Sequence, residues 1–273
     1  MKLAFSTLGC PDWNFNEIFA TAKDFGFDGV EIRGVKNELY APFISEFGDR
    51  NIGATLEKLA RLGVEIPCVT SGICVRNYGL DPAADEGSIK ETVEYAELAE
   101  KLGAKYVRIL GDIDVMPRGD VSDAAVCEAF KVLCGAVRHT KTTLLIETNG
   151  AFAESERLAA LVKKVNDEKL GVLWDVHHPY RFFKEDLGKT AANIGEYVKY
   201  IHVKDSVMLP SGAVKYKMMG KGDVPLGQLI RILGARGYQG FISLEWVKRW
   251  CQELEAPGIV FVQYINYMKK VLS

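Results

Sequence analysis

Eight short runs of β-forming apolar residues punctuate this chain, and amphipathic segments with helical spacing lie between them. The runs are KLAFS (2–6), GVEIR (29–33), VEIPCVTS (64–71), KYVRIL (105–110), TLLIE (143–147), GVLWDV (171–176), YIHVK (200–204) and FISLEW (241–246). The intervening segments include IKETVEYAELAEKLG (89–103) and AAVCEAFKVLCGAVRH (124–139). Uninterrupted alternation of strand and helix predicts a parallel sheet, because a helix must carry the chain back before the next strand can run in the same direction. Several helical segments end in a glycine that leads straight into a strand, as in DFGFDGVEI, RLGVEIPCV, KLGAKYVRI and ARGYQGFISL. Glycine suits the left-handed residue that closes a helix, so one helix-to-strand turn is used repeatedly. Eight such units close into a barrel, for which 273 residues suffice. An open sheet binding a dinucleotide would carry GxGxxG after its first strand, where this chain reads STLGCPDW. The expected fold is therefore α/β, a (β/α)8 TIM barrel forming a single domain over residues 1–273, since no linker or low-complexity tract divides the chain. The longer connections, 34–50 and 205–223, follow strand C-termini, which in a barrel form the catalytic face.

Charge restricts the partner. Thirty-six acidic residues against 34 basic ones leave a formal charge of −2, with no Lys/Arg run. Nucleic acid and membrane surfaces are disfavoured, a small molecule is the expected partner, and homo-oligomerisation is left open. No apolar run approaches the roughly 20 residues that span a bilayer, and the opening MKLAFSTLGCPDW is too polar for a signal peptide. Six cysteines are scattered without a CxxC pair, which predicts reduced thiols in a cytoplasm. Cys127 and Cys134, one heptad apart on a helix, read as buried packing.

Polar residues at the ends of the last four apolar runs carry the chemistry. They are Glu147 in LLIETNG, Asp175 in LWDVHHP, His202 in YIHVKD and Glu245 in ISLEW. Any one acid could cap a helix or pair with a lysine. Four such groups on consecutive strands converge on one barrel mouth, where buried carboxylates need a compensating charge. A divalent cation supplies it, and three carboxylates with one imidazole suit Mn²⁺, Mg²⁺ or Co²⁺ and tolerate Zn²⁺.

The order Glu, Asp-x-x-His, His, Glu resembles the metal motif of the xylose isomerase-like TIM barrels, a family that includes ketose 3-epimerases, inosose isomerases and inosose dehydratases. The resemblance covers nearly the whole chain, and GKGDVPLGQLIRILGARGYQGFISLEW is its most specific stretch, with a turn at Gly220, Gly222 and Asp223. It implies that Glu147, Asp175, His202 and Glu245 are metal ligands, and that Glu147 and Glu245 act as the acid/base pair on opposite sides of a ketose, keto-inositol or related sugar. It also matches His178 to a histidine that contacts substrate. Ketose 3-epimerases of this pattern place an arginine six residues after the strand-seven histidine; this chain has Met208 there. HVKD (202–205) is closer to the inosose-metabolising members.

The expected activity is a metal-dependent isomerisation or epimerisation by proton transfer through an enediolate. Expulsion of a β-hydroxyl from the same site would make it a dehydratase, and a barrel that only binds sugar is a third reading. Further candidates sit at strand ends. Glu31 could bind a sugar hydroxyl or, with Arg33, form an internal salt bridge. Arg108 could reach an anionic group or form a structural ion pair. Lys204 shares side-chain parity with His202 and could contact substrate. Trp13, Trp174 and Trp246 could pack on a sugar face or in the core, His177 is expected to face away from the site, and His139 closes a helix.

Overall fold

In the computed structural model, which describes residues 1–116 and 120–272, the parallel strands are β1 (Lys2–Ser6), β2 (Gly29–Glu31), β3 (Cys68–Cys74), β4 (Tyr106–Leu110), β5 (Thr143–Glu147), β6 (Leu170–Asp175), β7 (Val198–Val203) and β10 (Phe241–Leu244). Hydrogen bonding runs in the order β2, β1, β10, β7, β6, β5, β4, β3. Isolated bridges Gly29–Glu65 and Ile32–Val69 join the two remaining edges and close the ring. The outer layer comprises α1 (Phe15–Phe25), α2 (Ile52–Leu62), α3 (Pro82–Leu102), α4 (Asp123–Ala136), α5 (Ser155–Val165), α7 (Leu187–Ile194), α8 (Leu226–Ala235) and α9 (Pro257–Leu272). A short α6 (His177–Phe182) follows β6, and a hairpin of β8 (Asp205–Met208) and β9 (Val214–Lys217) projects from the end of β7. The expected TIM barrel is the observed fold.

Alternation along the strands positions the site. Ala4, Cys68, Leu145, Leu173, Tyr200 and Phe241 form one buried cluster inside the barrel. Residues two or four positions further along have the same side-chain parity, so Glu147 stands above Leu145, Asp175 above Leu173, His202 and Lys204 above Tyr200, and Glu245 above Phe241. The barrel is thus apolar at its N-terminal end and ionic at its C-terminal end. A larger cluster, including Phe5, Phe19, Phe130, Trp174, Phe261 and Tyr264, packs the opposite strand faces against the helices.

Local chemistry shifts several boundaries. The third strand starts at Cys68 and not at 64, because Pro67 has no N–H to give the ladder. Helix α3 begins at Pro82, ahead of the expected 89, where Asp81 caps Ala83 N at 3.0 Å. The connection at 205–223 contains the β8–β9 hairpin. All six cysteines are unpaired, with Cys127 and Cys134 buried. Among the described residues no helix is long and apolar enough to cross a membrane.

Candidate metal centre

Glu147, Asp175, His202 and Glu245, delivered by β5, β6, β7 and the end of β10, each present one ligand atom within 4.8 Å of the others, and all four are buried. The imidazole shows how such a centre would be oriented. His202 Nε2 lies 2.8 Å from Glu31 Oε2, and a carboxylate can only accept, so Nε2 carries the proton. His202 Nδ1 is buried without a hydrogen-bond partner, 3.8 Å from Glu147 Oε1 and 3.5 Å from Glu245 Oε1. An orphaned ring nitrogen facing two carboxylates, with its other nitrogen tied to a third, fits a metal-ligating histidine and its supporting acid. The donor set therefore fits a divalent ion.

The surrounding cations hold Glu147 and Glu245 ionised. Burial alone would raise Glu147, but Arg108 and His202 outweigh it and keep its carboxyl below the ordinary carboxylate range; Arg108 Nε lies 3.1 Å from Glu147 Oε2. Burial is likewise outweighed at Glu245, where Lys204 and His202 hold the carboxyl down. The Lys204 ammonium bonds both Asp175 Oδ2 and Glu245 Oε2, and burial there is overcome by these two acids, which keep the amine protonated. Burial also works against a charge on His202, yet Glu31, Glu245 and Glu147 raise it well above the usual imidazole range.

Above these groups lies a cavity of about 480 Å³. Glu147, Glu245, Lys204, Arg108 and His178 line it, whereas Asp175, His202 and Glu31 lie below its surface. His178 Nδ1 donates to Thr148 O at 2.9 Å, leaving Nε2 3.6 Å from Asp175 Oδ2. His177 turns away to Ser206 Oγ at 2.8 Å, and burial followed by Lys204 depresses it well below the ordinary imidazole range. Glu31 forms no pair with Arg33; its partners are His202 and Thr70 Oγ1, the latter at 3.3 Å. Met208 is exposed on the hairpin and lies outside the cavity. Trp174 and Trp246 are core residues, and Trp13 packs edge-on against Phe261. His139 lies beyond α4, 3.2 Å from Glu97.

The glycine-rich turn braces the hairpin. Gly220 adopts φ +75°, and Gly222 N donates to Asp205 Oδ2 at 2.8 Å, so close that a Cβ on Gly222 would overlap that carboxylate. Asp223 pairs with Arg181, which also bonds Ser206 Oγ at 2.7 Å. The hairpin held in this way brings Tyr216 into the cavity beside Lys204. Tyr216, Asn149, Ile113 and Trp250 line the cavity without having been singled out in the sequence, because each lies on a connection whose path local pattern does not specify.

Over 264 residues the chain is 23% identical to fructoselysine 3-epimerase of Escherichia coli O157:H7, covering 93% of each chain. Two solved structures superpose on nearly the whole chain. The IOLI protein with a bound zinc atom has a TM-score of 0.81 at 17% identity, covering 100% of this chain and 98% of that one. The probable 3-DHS dehydratase AsbF of petrobactin synthesis in Bacillus anthracis has a TM-score of 0.80 at 16% identity, covering 98% and 99%. Residues 19–265 match the family described as the xylose isomerase-like TIM barrel, and the chain belongs to that family.

Proposed function

We propose that this protein is an enzyme, a divalent-metal-dependent isomerase or epimerase of a ketose, keto-inositol or related sugar. The observation that carries the reading is the orphaned Nδ1 of His202, set between Glu147 and Glu245 with Glu31 behind the ring. Glu147, Asp175, His202 and Glu245 would hold one Mn²⁺, Mg²⁺, Co²⁺ or Zn²⁺, which when bound supplies a Lewis acid to a carbonyl and its neighbouring hydroxyl. The named relative, a fructoselysine 3-epimerase, is consistent with that chemistry.

The chain's own residues then move the proton. Glu147 and Glu245 both line the cavity as carboxylates, so either can accept the hydrogen on the carbon beside the carbonyl. Returned by the first glutamate to the neighbouring carbon, that proton moves the carbonyl; a proton passed from the Lys204 ammonium through Glu245 to the other face inverts the centre, leaving Glu147 protonated and Lys204 neutral until exchange with solvent resets both. The two have different partners. Arg108 beside Glu147 is a fixed charge, whereas Lys204 beside Glu245 carries a transferable proton. Buried His178 and half-buried Tyr216 would orient substrate hydroxyls.

Lys204 also favours one second reading. An ammonium on the cavity floor could protonate a departing hydroxyl, which would make the protein a dehydratase. Incubating Mn²⁺-loaded protein with ketohexoses and keto-inositols in D2O separates the two. Carbon-bound deuterium without loss of water supports the isomerase, and an absorbing dione supports the dehydratase. Ligand binding with no exchange on any substrate would leave only a sugar-binding barrel.

A further inference from the structure

Two guanidinium groups on the cavity wall carry N–H donors that the metal site leaves unused. Arg108, on β4, is 6% exposed; its Nε faces Glu147, while its Nη1 is buried without a hydrogen-bond partner. Arg33, just past β2, also lines the cavity, and among the described residues its guanidinium makes no hydrogen bond or ion pair. Between them β3 contributes Gly72, where a Cβ would stand 3.6 Å from Arg33 Nη2. The absent side chain leaves the space in front of that guanidinium open. Burial and the neighbouring Arg108 push Arg33 down to about 10. Like charges held together in a low-dielectric cavity are unfavourable unless an anion joins them.

We propose that Arg33 and Arg108 form an anion-binding subsite on the β2–β3–β4 wall, so that the substrate is a keto-sugar or keto-polyol bearing a carboxylate or a phosphate. The inference rests on the reading of this cavity as a sugar site. Guanidinium presents paired N–H donors that match both carboxylate and phosphate oxygens. The subsite lies on the opposite side of Glu147 from Lys204, so the anionic group would sit at one end of the substrate and the carbonyl at the other.

The test is calorimetric titration of metal-free and Mn²⁺-loaded protein with D-fructose, D-fructuronate and D-fructose 6-phosphate at constant ionic strength. At least one charged sugar should bind at least tenfold more tightly than D-fructose, and the stronger of the two identifies the anion. In Arg33→Gln that ratio should fall towards one, whereas Arg33→Lys should retain most of it, which separates charge recognition from misfolding. Equal binding of the three sugars, no binding of either charged sugar, or an equal loss for all three in Arg33→Gln overturns the proposal. Deuterium exchange read alongside keeps the two readings apart. Exchange without charge preference removes the anion subsite and leaves the isomerase, and charge preference without exchange does the reverse.

Discussion

Glu31 Oε2 and His202 Nε2 lie 2.8 Å apart although 171 residues separate them in the chain, and both side chains are almost completely buried. The bond fixes which ring nitrogen is protonated and points the other at Glu147 and Glu245. Supporting carboxylates of this kind are worth about 10–100-fold in metal affinity. Glu31→Ala should therefore weaken Mn²⁺ binding by about that factor while leaving all four ligands in place. Calorimetry or competition with a chelator measures it, and an unchanged affinity would remove Glu31 from the metal site.

Metal binding should depend on pH with a definite sign. In the metal-free protein His202 is held protonated well above the ordinary value of 6.5, and a ligating imidazole must be neutral. Each ion bound thus displaces at least one proton. Between pH 6.5 and the raised value, affinity should climb about tenfold per pH unit for that one proton. Titration at three pH values, repeated in buffers of different ionisation enthalpy, counts the protons released; a count of zero contradicts the assignment.

Lys204 stabilises the metal-free site, because its ammonium bonds both Asp175 and Glu245. Lys204→Met removes that charge and leaves Asp175 and Glu245 buried without the ammonium they share, a change that costs about 3–5 kcal/mol. At this chain length the melting temperature should fall by roughly 6–20 °C. Saturating Mn²⁺ should raise the melting temperature of the variant more than that of the parent, since the ion restores the missing charge. Equal metal-induced shifts in the two proteins would argue against this role.

Glu147→Gln and Glu245→Gln each keep the side-chain shape and remove the proton acceptor. On the isomerase reading each should lower the rate of substrate C–H exchange by about 10²–10⁴-fold. The sugar should still bind, and both quantities can be followed by NMR in D2O. Wild-type exchange rates in both variants would rule out the glutamate pair as acid and base.

Much of this protein was legible in its sequence because the relevant signals are local. Eight β runs separated by amphipathic helices determined a parallel sheet with crossovers, and the absence of GxGxxG after the first run favoured the closed barrel over an open sheet. The two-residue period within a strand then put Glu147, Asp175, His202 and Glu245 on the inner face, where the structure brings one donor atom of each within 4.8 Å of the others. Tertiary structure alone decided which partner each charge meets. Glu31 and Arg33 are two residues apart, yet one is tied to His202 across the barrel and the other stands in the cavity beside Arg108. Likewise the hairpin after β7 carries Met208 to the surface and Tyr216 to the substrate space. The reason is physical. Side-chain parity follows from backbone geometry and is written in consecutive residues, whereas ion-pair choice depends on distances between strands that only the closed barrel defines.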